Sequence, residues 1–258
     1  MKSNTVDKSY LKVKGIRIPY YPKVMKGYEE SPRLNITDAI DNLNLFTEIA
    51  NKYQLPVILI YGTLLGAIRN NSFIKHDVDI DLTIDIKYEK MLLNMVIELE
   101  SVDLLLVRYK RFTLFNKGII VYAFERKDIH IDVFIMQKGF NSYIILGKKY
   151  PKENFEYFEK ILFYDNYYFV PHNSKLLLSL IYGDNWETPI PDVYTSSIDF
   201  IWQIKLLKFF EKDHIKYNFE NMFNRCVKSK IRKIIPIKLY ISIKRFYYLL
   251  FFNKKINE

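Results

Sequence analysis

Apolar residues follow two different spacings along the chain, and the changes between them delimit the predicted elements. From Thr37 to Tyr53 they recur at the spacing of a helix. Pro56 then precedes the short apolar run VILIY, which is typical of a buried strand. The next residues, GTLLGAIRN, indicate a turn that leads into a short helix, and DVDIDLTID alternates with the two-residue period of a strand. The pattern therefore predicts a helix, a strand, a short helix and a second strand in succession.

The same two spacings continue downstream. KYEKMLLNMVIELE returns to helical spacing, DIHIDVFIM alternates as a strand, and NSKLLLSLIYG indicates a helix with Asn173 near its N-cap and Gly183 just past its end. The further strands are predicted at 103–109, 111–116 and 118–124, with a hairpin turn at Asn116-Lys117-Gly118, and in KILFYDNYYFVP, with a turn at Asp165-Asn166. Strands and helices are thus mixed along one stretch of chain.

These elements predict three segments. Residues 1–33 are polar, with Tyr and Pro, and we expect an irregular N-terminal arm. Residues 34–195 are expected to form an α+β domain, a mixed β-sheet flanked by helices, and residues 196–258 a helical, basic C-terminal segment. A length of 258 residues with 49% hydrophobic content fits one packed domain with an appendage.

Charge distribution and cysteine content limit the kinds of site and the cellular location expected for the protein. The net charge is +10, and residues 205–258 alone hold 14 Lys and Arg against four Asp and Glu, so the rest of the chain is neutral. The single cysteine, Cys226, excludes an internal disulfide framework and any zinc site with two thiolates. The first residues do not resemble a signal peptide, and no window of the sequence has the length and apolarity of a membrane span. We therefore expect a cytoplasmic protein.

The tail mixes its basic residues with Ile, Leu, Phe and Tyr, most clearly over residues 228–255. Such a stretch can adsorb to an anionic membrane surface, which would make the protein peripheral on the inner face of the cell membrane. It can equally be a terminal helix packed on the domain, with a solvated basic face. Binding to nucleic acid is a third, less favoured interpretation.

Several carboxylates lie in a predicted strand whose other residues are mostly apolar, as in a buried strand. Asp77, Asp79 and Asp81 would share one face of the strand, because side chains two residues apart point to the same side. Neighbouring carboxylates repel one another unless a cation lies between them, and Mg²⁺ prefers oxygen ligands. The spacing therefore predicts a Mg²⁺ site, and a pair of such ions can stabilise both oxygens in phosphoryl transfer. An ordinary solvated strand face is the alternative.

Two further motifs fit the same chemistry. Asp132 lies in the later strand IHIDVFI, where it can bind a second metal ion or accept the proton of an attacking hydroxyl. Gly62 and Thr63 follow a strand and open a helix, where free backbone N–H groups can bind a phosphate. Arg69 can clamp a phosphate or pair with an acid. This order of strand, Gly-Thr, helix, Asp-x-Asp and later Asp is the nucleotidyltransferase arrangement.

The chain resembles the LicD/fukutin-type phosphotransferases. The resemblance is carried by YGTLLGAIR, an Asp-rich HDVDID, the IDVF that contains Asp132, and FVPHNSKLLLSLIYGDNWETPIP, all in the family's order over about residues 35–195. The sequence departs from the usual pattern at His76, Asp77 and Val78, and at Ser72, where the family commonly has Gly. These departures leave the pair Asp79 and Asp81 intact.

The resemblance implies transfer of a phosphorylated alcohol from a CDP-activated donor to a glycan hydroxyl, with release of CMP. The preferred candidate for the transferred group is phosphocholine, and ribitol phosphate and glycerol phosphate are the alternatives. The glycan acceptor can be lipid-linked. The implied roles are donor-phosphate binding by Gly62 and Thr63, Mg²⁺ binding by Asp79 and Asp81, and a third acid at Asp132. Asp77 can belong to the metal site or act as a cap. Tyr182, Gly183 and Trp186 can frame the acceptor or donor base; the alternative is a helix C-cap followed by a packed Trp, which is preferred for Gly183. Two other functions stay open: transfer of NMP from an NTP, and a non-catalytic module that binds through its basic tail.

Overall fold

The computed structural model describes residues 7–23, 30–114 and 117–189. These residues belong to one compact unit, Met1–Ser197. The predicted helical tail, with the proposed membrane contact at 228–255, lies outside the described residues.

The described elements alternate between strands and helices. The helices are α1 (Ile36–Lys52), α2 (Tyr61–Asn70), α3 (Glu89–Ser101), α4 (Glu153–Glu156) and α5 (Ser174–Tyr182), with a 3₁₀ turn at Ile86–Tyr88. The strands are β1 (Ser9–Val13), β2 (Ile16–Tyr20), β3 (Ile58–Leu59), β4 (Asp79–Asp85), β5 (Leu105–Leu114), β6 (Lys117–Arg126), β7 (Ile129–Lys138), β8 (Ser142–Ile145), β9 (Lys148–Pro151), β10 (Phe158–Phe163) and β11 (Asn166–Pro171). In this part of the chain, no helix has both the length and the apolar character needed to cross a membrane.

One mixed sheet organises the domain. Its strand order is β10-β11-β3-β4-β7-β6-β5. β8 pairs antiparallel with the end of β7, and β9 pairs antiparallel with β8. β4 and β7 run parallel at the centre of this sheet, and β11 runs parallel to β3, whereas β3 is antiparallel to β4 and β6 is antiparallel to both β5 and β7. The mixed sheet with helices confirms the predicted α+β class.

Alternation along the central strands separates a core face from a polar face. Ile80 and Leu82 of β4, and Ile131 and Val133 of β7, are fully buried. Helix α1 covers this face, where the ring of Phe46 meets that of Phe124 on β6 edge-on with centroids 5.5 Å apart. The polar residues of β4 and β7 consequently point to the other face of the sheet.

Most predicted elements are confirmed, including α1, the hairpin β10–β11 and the helix α5 between Asn173 and Gly183. Some boundaries were wrong. Strands predicted at 103–109 and 111–116 form the single strand β5, and the β10–β11 turn falls at Tyr164-Asp165, one residue earlier than predicted. This one-residue shift follows from the left-handed φ of 51° at Tyr164, which the periodicity of the sequence does not reveal.

The prediction of an irregular arm over residues 1–33 was wrong for residues 9–20. β1 and β2 form a hairpin whose turn is Lys14-Gly15, with φ of 49° and 84°. Left-handed φ at both turn residues is the geometry of the commonest two-residue hairpin turns. The chain after β2 then runs along β5, because the N–H of Tyr21 donates to the carbonyl of Leu106 at 2.9 Å. Residues 9–21 are therefore part of the domain.

Candidate active site

The sheet register brings the predicted carboxylates of two strands side by side. Asp81 of β4 is the direct partner of Asp132 of β7, and Asp79 is the partner of His130. Asp81 and Asp132 are only 8% and 7% exposed. Together with Asp77, just before β4, these residues form the acidic cluster (Asp77, Asp79, Asp81 and Asp132).

Helix α2 is built against this cluster by its first turn. The Gly62 N–H donates to Asp81 Oδ2 at 2.9 Å, so the carboxylate lies at the positive end of the helix. The Asp81 N–H donates to Thr63 Oγ1, also at 2.9 Å, and Thr63 is fully buried. The structure thus assigns the Thr63 hydroxyl a contact with the backbone of Asp81 and the Gly62 N–H a contact with its side chain.

Gly62 is the point of closest approach between α2 and the acids. A Cβ at this position would lie 2.5 Å from Asp77 Oδ2 and 3.2 Å from Asp81 Oδ2. Both carboxylates therefore face the same turn of α2. The backbone of Asp77 is held in place by a hydrogen bond, in which the Leu34 N–H donates to the Asp77 carbonyl at 2.9 Å.

Burial and mutual repulsion make the charged cluster costly. Burial raises the pKa of Asp79 well above its ordinary value, and the charges of the other three carboxylates raise it further. Burial also raises the pKa of Asp81, with further contributions from Asp77 and Asp132, while the N–H groups of Gly62 and Thr63 oppose the shift. The cluster therefore favours any ligand that brings positive charge.

Arg108, on β5, is a functional candidate that sequence reasoning missed. Its Nη2 donates to Asp132 Oδ2 at 2.5 Å, whereas Asp132 Oδ1 is buried and has no hydrogen-bond partner among the described residues. The available signal was an arginine directly after the apolar run LLLV. Its significance depends on the order of strands, which the sequence does not show.

The donor set of the cluster fits Mg²⁺. All four side chains offer carboxylate oxygens, Arg108 pairs with Asp132, and Asp132 Oδ1 is a buried acceptor with no hydrogen-bond partner among the described residues. As the side chains stand, no three His, Cys, Asp or Glu residues in the described ranges converge on one metal position. A divalent ion would therefore require the carboxylates to turn toward it.

The remaining predicted site residues divide into two groups. Tyr182 lies on the side of the cluster: burial raises the pKa of its phenol well above the ordinary value, and the charges of Asp81 and Asp77 add to the shift. Arg69 and Trp186 instead contact each other, since Arg69 Nη1 donates to the Trp186 carbonyl at 3.4 Å and the Trp186 ring is buried. Gly183 ends α5 with a φ of 90°.

His130, beside Asp79, belongs to a second group of polar residues together with Glu125 and Lys23. Its Nε2 is 2.5 Å from Glu125 Oε2, and Lys23 of the N-terminal segment reaches the other oxygen of Glu125 at 2.5 Å. The N-terminal segment thus contributes a charged residue next to the site. The backbone carbonyl of His76 accepts a hydrogen bond from Arg33 Nη1 at 2.9 Å.

Comparison with known families identifies this arrangement. Residues 54–173 match the family model described as LicD/FKTN/FKRP, nucleotidyltransferase domain. This stretch is a LicD-type nucleotidyltransferase domain. The match begins just before β3, includes Gly62 and the whole acidic cluster, and ends at the start of α5. The family match supports a transferase.

Other comparisons add little detail. No curated protein matches the chain. Among solved structures, the crystal structure of ANT(2'')-Ia in complex with adenylyl-2''-tobramycin is 16% identical, covers 65% of this chain and 88% of that chain, and has a TM-score of 0.41. The solution structure of the antibiotic-resistance factor ANT(2'')-Ia is 13% identical, covers 77% and 98%, and has a TM-score of 0.43. The fold assignment rests on the sheet topology and the family match.

Proposed function

We propose that this protein transfers a phosphorylated alcohol from a CDP-activated donor to a hydroxyl of a cell-surface glycan or lipid-linked oligosaccharide, in a Mg²⁺-dependent reaction. Phosphocholine is the first candidate for the transferred group, and ribitol or glycerol phosphate are the next. The observation that carries the proposal is the register of β4 and β7, which sets Asp79 and Asp81 beside Asp132 within a LicD-type domain.

Three of the four carboxylates are assigned to the metal site. Asp79 and Asp81 hold Mg²⁺, with Asp77 beside them. Bound Mg²⁺ would neutralise negative charge on the transferred phosphate and the leaving group. The Gly62 N–H and the Thr63 hydroxyl keep Asp81 in position through its side chain and its backbone.

The transfer breaks one bond and forms one. The acceptor oxygen forms a new bond to the cargo-side phosphorus, the bond from that phosphorus to the bridging oxygen breaks, and CMP leaves with the electron pair. Asp132 Oδ1, which is buried and without a partner among the described residues, accepts the acceptor's proton. Tyr182, at the edge of the acidic cluster, contacts the donor or acceptor, and Arg69 and Trp186 support that edge through their mutual contact.

The proposal is tested first by ligand-dependent thermal stability, because this needs no acceptor. Melting is measured with CDP-choline, CDP-ribitol, CDP-glycerol, CTP and ATP, each with and without Mg²⁺. A ligand at 100 times its Kd stabilises by about 2.7 kcal/mol. We expect a Mg²⁺-dependent shift with one CDP-alcohol that is lost in Asp79→Asn.

Asp85→Asn is the matched control. Asp85 lies on the same strand four residues beyond Asp81, about 13 Å away at the rise of a strand, and caps the 3₁₀ turn, a role that Asn also fills. This variant should shift like the wild type. Shifts with NTPs alone, with pyrophosphate released on turnover, would replace the proposal by NMP transfer. The absence of any shift that depends on Asp79 would contradict it.

A further inference from the structure

We infer that Arg108 binds the transferred phosphate, and that Asp132 is the residue that holds its guanidinium in place. The inference rests on the proposed function, and it assigns a substrate-binding role to a residue outside the carboxylate motif. Three features of β5, β6 and β7 carry it: a bulge, a small residue and a pair of buried polar atoms.

The bulge in β5 decides which face Arg108 occupies. Leu106 pairs with Phe124 on the core face, and the next paired residue is Arg108, opposite Ala123, so Val107 is an extra residue. In a regular strand, Arg108 would share the face of Leu106, because residues two apart point the same way. The extra residue reverses this and places Arg108 on the polar face with Asp132. Bulges of this kind re-aim side chains beside active sites.

The row through Arg108 then crosses the sheet to the cluster. Arg108 is the partner of Ala123, Ala123 of Asp132, and Asp132 of Asp81. Ala123 is fully buried and carries only a methyl group, so the Arg108 side chain passes over it and reaches Asp132 two strands away. A larger residue at 123 would block this path.

The guanidinium retains capacity to bind a ligand. Nη2 is committed to Asp132, while Nε is buried without a hydrogen-bond partner among the described residues, and the Arg108 side chain is 23% exposed. An arginine offers its donors in a rigid fork that matches the oxygens of a phosphate. A phosphate placed over the cluster can therefore accept from Arg108 while Asp132 keeps hold of Nη2.

This arrangement also limits the metal content of the site. Asp132 Oδ2 already has a cationic partner in Arg108, so the positive charge that a second metal ion would supply on this side is present in the protein. Asp79 and Asp81 remain for one Mg²⁺. A metal ion on one side of the phosphate and a guanidinium on the other would share its negative charge.

The test uses two probes on the full chain: Mn²⁺ alone, followed by electron paramagnetic resonance, and inorganic pyrophosphate with Mg²⁺, followed by calorimetry. In Arg108→Gln we expect the Kd of pyrophosphate to rise at least tenfold while Mn²⁺ binding stays within about threefold of wild type. Arg108→Lys should recover only part of the loss, because lysine restores the charge but not the fork. Arg126→Gln removes an arginine that pairs with Asp41 at the molecular surface and should match the wild type.

The outcomes separate this inference from the proposed function. Unchanged pyrophosphate binding in folded Arg108→Gln would overturn it, as would a wild type that does not bind pyrophosphate. If Arg108→Gln does not fold, the comparison of Arg108→Lys with wild type decides in the same way. Asp132→Asn should keep one Mn²⁺ bound, and loss of Mn²⁺ in that variant would make Asp132 a metal ligand and overturn the inference. Failure of the proposed function looks different, because Asp79→Asn would then leave Mn²⁺ binding intact.

Discussion

At the scale of single residues, two glycines of α2 have opposite reasons to lack a side chain. A Cβ on Gly62 would meet the free ends of two carboxylates, with Asp77 Oδ2 at 2.5 Å. A Cβ on Gly66 would lie 2.4 Å from the backbone carbonyl oxygen of Ser72. A carboxylate can rotate away, whereas a backbone carbonyl moves only with its chain. Gly62 is therefore constrained by the acidic cluster and Gly66 by the backbone fold.

The two Gly→Ala variants should separate these roles. We expect Gly62→Ala to keep most of its stability and to weaken Mn²⁺ binding at least tenfold, because the displaced Asp77 and Asp81 no longer face the metal together. Gly66→Ala should lose about 1–3 kcal/mol of unfolding free energy, the usual cost of overpacking, and keep its metal affinity while folded. Denaturant unfolding and Mn²⁺ titration measure both quantities. The opposite pattern would contradict the assignment.

At the scale of elements, a buried glutamate joins the N-terminal hairpin to the rest of the domain. Glu89, the first residue of α3, has a fully buried side chain that binds Lys14 Nζ at 2.5 Å, the Tyr122 hydroxyl at 2.7 Å and Arg111. Lys14 lies at the turn of the β1–β2 hairpin. Removing the carboxylate leaves two cations without their partner, which costs more than an exposed pair would.

Glu89→Gln should therefore destabilise the protein by about 3 kcal/mol at neutral pH. Burial alone would raise the pKa of Glu89, but the hydrogen bonds from Lys14, Tyr122 and Arg111 outweigh it, and the pKa is lowered from 4.5. The stability that this residue contributes is present above its unfolded pKa and is lost as the pH falls through the lower folded value.

Unfolding free energies between pH 7 and pH 3 test this. The gap between wild type and Glu89→Gln should narrow below about pH 4.5. Glu48→Gln, on an exposed surface of α1, should follow the wild type throughout. A gap that stays constant over this range would show that the carboxylate's charge does not hold the hairpin.

At the scale of the whole molecule, the acidic cluster opposes folding. The acids lie close together at the central strands, and burial and mutual repulsion disfavour the charged forms of Asp79 and Asp81. Residues 1–204 hold equal numbers of basic and acidic side chains, so the repulsion comes from the clustering of these acids and not from the net charge of this part of the chain. The domain therefore carries clustered negative charge at its centre, and a bound cation would relieve the repulsion.

Asp79→Asn should accordingly be more stable than the wild type in EDTA, by about 1 kcal/mol or more, since one pKa unit of repulsion corresponds to about 1.4 kcal/mol. With Mg²⁺ present the order should reverse, because only the wild type gains binding energy. Thermal melts under both conditions, with Asp85→Asn as the control, measure the difference. A variant less stable than wild type in EDTA would contradict the account of the cluster.

The sequence by itself determined the local structure and the motif. The helical spacing of α1, the alternation of β4 and β7, and the end of α5 at Gly183 follow from contacts within a few residues, and so does the common face of Asp79 and Asp81. Only the tertiary structure decided that β4 and β7 are neighbours in register, that the β1–β2 hairpin packs on the domain, and that Arg108 reaches Asp132 over Ala123. The physical reason is that strand order and a single bulged residue are set by packing between distant segments, and neither leaves a period in the chain.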